Sequence, residues 1–241
     1  MNFMTKLQKI SFFINLLILI MTIFATWAML TGFQFMTMPG KPAALSVSNI
    51  KAFKYFTVDS NVFAGIISLV MMIVHVLIAK GRLNNVPKPV QFLKLAATTG
   101  VTLTMLVTAL FLAPFQFGFF ALFTDANLFL HLLIPLLCII TFVFFEPAEI
   151  PAAKTFVGVI PMLIYAVFYT TNIIVHLENG QTSQTYDWYG FLSNGVDTVW
   201  IVAPLILAVT WTLALLIQTA NKKLACKLQK AEPFILKENG T

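Results

Sequence analysis

The chain has 241 residues, of which 59% are hydrophobic and only 10% charged, against about 25% charged in an ordinary soluble domain. That much apolar surface cannot be hidden inside one soluble fold, so the composition excludes a soluble domain. The net charge of +6 is not a nucleic-acid signal, because the basic residues lie in short segments between apolar runs and in the C-terminal tail, the pattern of membrane topology signals.

The first apolar run, 10–31, follows Lys6 and Lys9. It is longer than the roughly 7–15 residues of a signal-peptide core and has no small-residue cleavage site after it. It therefore reads as an uncleaved membrane helix of about 20 residues. Pro39, Gly40 and Pro42 break the chain next. Residues 46–56 fit an interfacial stretch, with Lys51 and Lys54 toward water and Phe53 and Phe56 toward lipid.

The second helix, 57–79, opens on an unusually polar set: Tyr55, Thr57, Asp59, Ser60 and Asn61. Arg82, Lys88 and two prolines mark a turn. The third helix is 92–113, with Pro114 as its end. The fourth is 127–145, introduced by Thr124 as an N-cap candidate and closed by Glu146 and Pro147. The fifth is 156–176. A polar loop, 178–194, carries Tyr186, Asp187, Trp188 and Tyr189, an aromatic-belt composition. The sixth helix is 196–219, and a lysine-rich tail follows. The fold expected is all-α: one polytopic membrane domain over 1–241, a bundle of six transmembrane helices. Cys138 lies in an apolar run and Cys226 in the basic tail, so no disulfide is expected.

Twelve of the fifteen Lys and Arg residues fall on one side of this arrangement, and Lys41, Lys51 and Lys54 on the other. The positive-inside rule puts the twelve, and with them both termini, in the cytoplasm. Lys94 is counted among them as a topology charge, and His75 reads as an interfacial residue at the same end.

Helical periodicity groups the polar residues into stripes. Thr57, Asn61, Gly65, Ser68, Met72 and His75 share one face of the second helix. Asn127, His131, Pro135 and Cys138 share one of the fourth. Pro161, Tyr165, Tyr169, Asn172 and His176 share one of the fifth. Asp197, Trp200 and Pro204 line the sixth. Such stripes belong in the bundle interior, although small and polar residues there also serve plain helix packing. Thr57, Asn61, Asn127, His131, Asn172 and His176 fall in the same half of the membrane. Three histidines at different depths make no metal-ligand set, and no cofactor is expected.

A hydroxyl beside an imidazole is the minimum for nucleophilic catalysis. Thr57 can serve as nucleophile and His131 as base, with Asn127 or Asp59 as the group that orients the imidazole. Unpaired N–H groups at the start of the second helix are candidates to stabilise an oxyanion. Asn61, Tyr165, Tyr169, Asn172 and His176 are candidates for support or substrate contact.

Tyr55-Phe56-Thr57 with Ser60-Asn61, together with His131 and Pro135 in the fourth helix, resembles the androgen-induced-protein family of multi-spanning proteins and its bacterial Pr6Pr-type relatives. Animal members are threonine hydrolases of fatty-acid esters of hydroxy fatty acids. The resemblance implies a membrane lipid-ester substrate, Thr57 as nucleophile, His131 as base, and a bacterial cytoplasmic membrane as location. It departs from the animal pattern at Val58-Asp59-Ser60. The alternative is a non-enzymatic transporter or lipid-binding protein whose stripes line a cavity. A transporter would carry intramembrane charges, and none is expected at mid-depth.

Overall fold

A computed structural model describes residues 4–36, 49–183, 185–190 and 197–238. Six helices in it are long and apolar enough to cross a membrane, which makes the chain a multi-pass membrane protein by length and composition. Among the described residues the only β pairing is an isolated bridge between Glu178 and Gln181.

Helix α1 spans Lys6–Thr31. It starts four residues before the apolar run because Thr5 and Gln8 form a capping box, each side chain bonding the other's backbone N–H. Gly32, in the left-handed conformation, ends it. A short 3-10 turn, Ile50–Lys54, leads into α2, Phe56–Ala79. The interfacial expectation fails at Phe56. Instead of facing lipid, it is buried against Leu103 and Tyr165 as the first residue of α2. Residues 46–48 of that stretch lie outside the described residues.

Helix α3, Lys88–Val107, begins before the expected Phe92, with Pro89 in its first turn. Nor does it stop at Pro114. A wide π segment, Thr108–Phe117, carries the proline inside it. A one-turn helix, Phe119–Leu122, then leads to the fourth span, α4, Ala126–Phe145. Thr124 does not cap α4: its hydroxyl donates back to the Phe120 carbonyl at 2.8 Å. Asp125 occupies the cap position with φ +53°, and its carboxylate accepts the N–H groups of Phe35 and Met36 at 2.5 and 2.7 Å. The loop after α1 is thereby tied to the head of α4.

The fifth span is 3-10 over Ala152–Val159 and α-helical over Ile160–Val175, here α5. Helix α6 runs from Asp197 to Glu238, 42 residues, so the lysine-rich tail continues the last helix rather than leaving it.

Two glycines set the closest approaches. A Cβ on Gly65 would stand 2.8 Å from Thr22 Cγ2 of α1, and one on Gly158 would stand 2.7 Å from Ala214 Cβ of α6. Helices pack this closely in lipid only where side chains are small.

Candidate functional site

The candidate site residues separate into two groups on opposite sides of the α2 N-terminus, while the stripe expected on the sixth helix does not face the interior: Trp200 is 74% exposed and Pro204 is exposed too. One group joins α2 to α4. The Asn61 amide nitrogen donates to the Thr57 carbonyl at 2.7 Å and to the Leu130 carbonyl at 3.0 Å. A single side chain therefore spans the first turn of α2 and the residue preceding His131.

The local backbone explains why Asn61 is needed. Phe129–Leu133 is a π turn, in which the Ile134 N–H reaches back to Phe129. The next donor that could serve Leu130 in such a turn belongs to residue 135, a proline, which has none. The Leu130 carbonyl is thus left without a helical partner, and Asn61 supplies one from α2. Single π turns of this kind often mark functional sites.

His131 sits in that π turn and is only 6% exposed. Its Nδ1 lies 2.7 Å from the Leu122 carbonyl. A carbonyl only accepts, so Nδ1 carries the hydrogen, and in the neutral ring the lone pair is on Nε2. The orienting group is therefore a main-chain oxygen, not Asn127 or Asp59. Asn127 contributes one step away, donating to the adjacent Ala121 carbonyl at 3.2 Å. Asp59 is half-buried in the first turn of α2 and makes no hydrogen bond to the ring. The Phe123 ring meets the imidazole edge-on.

No hydrogen bond joins Thr57 to His131 among the described residues; the link between them is the Asn61 amide, which joins the main chain at Thr57 to the main chain at Leu130. At the head of α2, Val58 and Asp59 donate their N–H groups to the Tyr55 carbonyl, and the Phe56 N–H is held by the Tyr189 hydroxyl at 3.1 Å. The Thr57 N–H alone is without a partner there among the described residues. The expected row of free amides reduces to one. Phe24, Phe33, Phe35 and Phe129 form an aromatic layer beside this corner.

The second group joins α5 to the outer loop. Tyr165 donates its hydroxyl to the Lys54 carbonyl at 2.7 Å and accepts from the Trp188 indole at 3.0 Å. Tyr169 donates to the buried Asp187 carboxylate and accepts from the Tyr189 N–H at 3.3 Å. Asn172 donates to the Tyr186 carbonyl, and His176 stacks on the Tyr186 ring with centroids 3.6 Å apart. The loop is not a simple aromatic belt. Its residues 186–190 fold back onto the bundle, and burial pushes the Tyr189 phenol up to about 12. Tyr165, Tyr169, Asn172 and His176 therefore hold the loop; none of them bonds to Thr57 or His131.

A third polar cluster lies at the opposite, lysine-rich end of the bundle, in residues read above as a topology charge, a helix end and an interfacial histidine. The Lys94 ammonium is 3.5 Å from Glu146 Oε2, and both side chains are buried, at 3% and 4% exposure. Lys94 also donates to Asn15 Oδ1 at 2.5 Å, and Asn15 donates to Glu146 Oε1 at 2.6 Å. Ser11 donates to the same Oε1 at 2.8 Å and lies 3.0 Å from His75 Nε2. His75 is buried, not interfacial, and Lys94 is no loop charge. One sequence signal was available: Ser11 and Asn15, four residues apart, are polar positions on one face of an otherwise apolar run, at the depth of His75, Lys94 and Glu146. Among the described residues no three His, Cys, Asp or Glu side chains converge as a metal set would.

No family model, curated protein or solved structure matches the chain.

Proposed function

We propose that the protein is an integral-membrane hydrolase of lipid esters, with substrates like fatty-acid esters of hydroxy fatty acids. Thr57 is the nucleophile and His131 the base. The observation that carries this reading is the His131 ring: Leu122 fixes its tautomer so that Nε2 is the acceptor, on a π turn that Asn61 ties to the Thr57 turn. The resemblance of the Tyr55-Phe56-Thr57 and His131/Pro135 motifs to threonine hydrolases supports the same assignment.

In the proposed reaction His131 Nε2 takes the Thr57 hydroxyl proton as Oγ1 bonds to the ester carbonyl carbon. The negative charge that develops on the carbonyl oxygen faces the free Thr57 N–H. The C–O bond to the alcohol breaks, and the alcohol leaves with the proton held by His131. Water, deprotonated by the same imidazole, then cleaves the acyl-threonine and releases the fatty acid. We place this corner in the outer leaflet with both termini inside, on the lysine distribution, and the membrane as a bacterial cytoplasmic one on the family resemblance alone.

A fluorophosphonate probe in membranes should label the wild type and not Thr57→Ala. His131→Ala should lose at least about a hundredfold in ester turnover, the usual lower bound for a general base, while remaining inserted. Unchanged labelling and turnover in Thr57→Ala would eliminate the nucleophile and favour the alternative, a transporter or lipid-binding protein. That alternative draws on the buried Lys94–Glu146 pair, an intramembrane charge pair of the kind found along ion pathways.

A further inference from the structure

The lysine-rich end carries charge of one sign. Nine lysine and arginine side chains are exposed there, and Glu149 is the one exposed carboxylate among the described side chains of that end. Part of this charge is gathered where α6 runs beside the start of the fifth span. Two contacts fix the seam between them. Gly158 lies against Ala214, and the Trp211 indole donates to the Thr155 hydroxyl at 3.2 Å. From the Gly158–Ala214 contact, Lys154 lies four residues back along a 3-10 segment, about 8 Å toward the lysine-rich end at 2.0 Å per residue. Lys222 lies eight residues on along α6, about 12 Å in the same direction at 1.5 Å per residue. The two exposed lysines therefore stand at nearly the same level. Trp211, Leu215 and Lys222 follow one another at four- and seven-residue intervals, so Lys222 lies on the edge of α6 that Trp211 turns to the fifth span.

The surroundings of these two lysines do not neutralise them. Neither Lys154 nor Lys222 has a carboxylate within ion-pair distance among the described residues. Ile217, Gln218, Asn221 and Ala225 form the buried face of α6 here, so the exposed Lys223 and Lys227 are turned away from the bundle, toward the surrounding headgroups. The Trp211 hydrogen is taken by Thr155, and its ring, 46% exposed, offers the seam an apolar wall. A soluble anion would use the lysines and leave the wall bare; a neutral lipid would do the reverse. An amphiphile with an anionic head uses both.

We propose that this seam binds an anionic phospholipid of the leaflet at the lysine-rich end. Its phosphate is held between Lys154 and Lys222, with Lys223 and Lys227 adding to the attraction, and an acyl chain lies along Trp211. The lipid closes the seam from the membrane side and ties the fifth span to α6 at the level where their own contacts end.

The test uses the full chain in nanodiscs of phosphatidylcholine into which a brominated lipid is titrated, since bromine on an acyl chain quenches tryptophan on contact. The Trp211 signal is the difference between the wild type and Trp211→Phe. Brominated phosphatidylglycerol should quench it at a mole fraction about tenfold or more below that needed with brominated phosphatidylcholine, because each lysine near an anionic lipid is worth about fivefold in affinity. Lys154→Gln combined with Lys222→Gln should remove most of this preference. Lys6→Gln combined with Lys9→Gln takes the same charge from the same end, on α1, which packs on α2 and α4, and should keep it. Soluble glycerol phosphate in excess should not relieve the quenching. Equal quenching by the two lipids, a preference that survives the loss of Lys154 and Lys222, or one lost equally with Lys6 and Lys9, overturns the proposal. Relief by glycerol phosphate overturns the lipid as the ligand. The readout needs no turnover and the seam lies at the other end of the bundle from Thr57, so the outcome is independent of the hydrolase reading.

Discussion

Asn61 shows how much one side chain can decide. Its amide replaces a main-chain donor that Pro135 lacks, and in doing so couples α2 to the turn that carries His131. Its other amide atom, Oδ1, is buried and makes no hydrogen bond, so the side chain is kept for its donor. Asn61→Ala should leave the Leu130 carbonyl buried and unpaired, at a cost of about 1–3 kcal/mol, read as a lower thermal midpoint in detergent. Under the proposed function, ester turnover should fall with it while Thr57 and His131 remain in place. The pairing of Thr57 with Asn61 on one face was legible from four-residue spacing, and His131 from its place in an apolar run. The orienting partner of His131 was not legible. Main-chain carbonyls carry no residue signature, and Leu122 is one leucine among many until the Phe119–Leu122 turn is folded.

At the scale of elements, the wide turns and the outer loop matter most. Pro135 and the π turn before it are one feature, because the missing N–H is what exposes the Leu130 carbonyl. Pro135→Ala supplies that N–H. In its background Asn61→Ala should cost less by about 1 kcal/mol or more than in the wild type, a coupling that a double-mutant cycle measures directly; additive losses would show that Asn61 acts elsewhere. The loop over the other side of α2 has a chemical limit. Tyr189 is held neutral in the fold up to about 12, whereas an exposed phenol ionises near 10. The folded state keeps the proton that the unfolded state releases, so the contribution of this docking is complete below about pH 10 and declines as pH rises toward 12. Limited proteolysis of residues 178–190 should accelerate over that range, and Tyr189→Phe should remove most of the dependence. The spans themselves were readable because hydropathy averages over some twenty residues. Their ends were not. The capping box at Thr5 and Gln8, the passage of the third span through Pro114 as a π segment, and the continuation of α6 to Glu238 each depend on hydrogen bonds local to a few residues, which an apolar run does not encode.

For the molecule as a whole, the six spans are held by small-residue contacts along their length and by polar ties at both ends. Of the tie at the lysine-rich end, one dimension showed only the four-residue spacing of Ser11 and Asn15, because its members sit on four spans and Lys94, His75 and Glu146 each have a bland reading alone. Removing one partner of a buried pair strands the other. Lys94→Ala should therefore cost about 3–5 kcal/mol, and Lys94→Met combined with Glu146→Gln should recover much of it, as thermal midpoints of the purified protein would show. Recovery distinguishes a stranded charge from a lost packing contact, since the double variant still lacks the lysine.

The same pair bears on how the protein is made. Lys94 leaves the ribosome well before Glu146, and α3 reaches the bilayer with an ammonium six residues beyond its first residue and no carboxylate to neutralise it. A lysine in that position snorkels toward water and holds the nascent helix shallow. Asn15 of α1 is already there to accept from it, but a counter-charge comes only when α4 has followed and brought Glu146 to the same end. On this argument the third span should resist extraction less in a chain truncated before Glu146 than in one carried just past it, because the ammonium has its counter-charge only in the second.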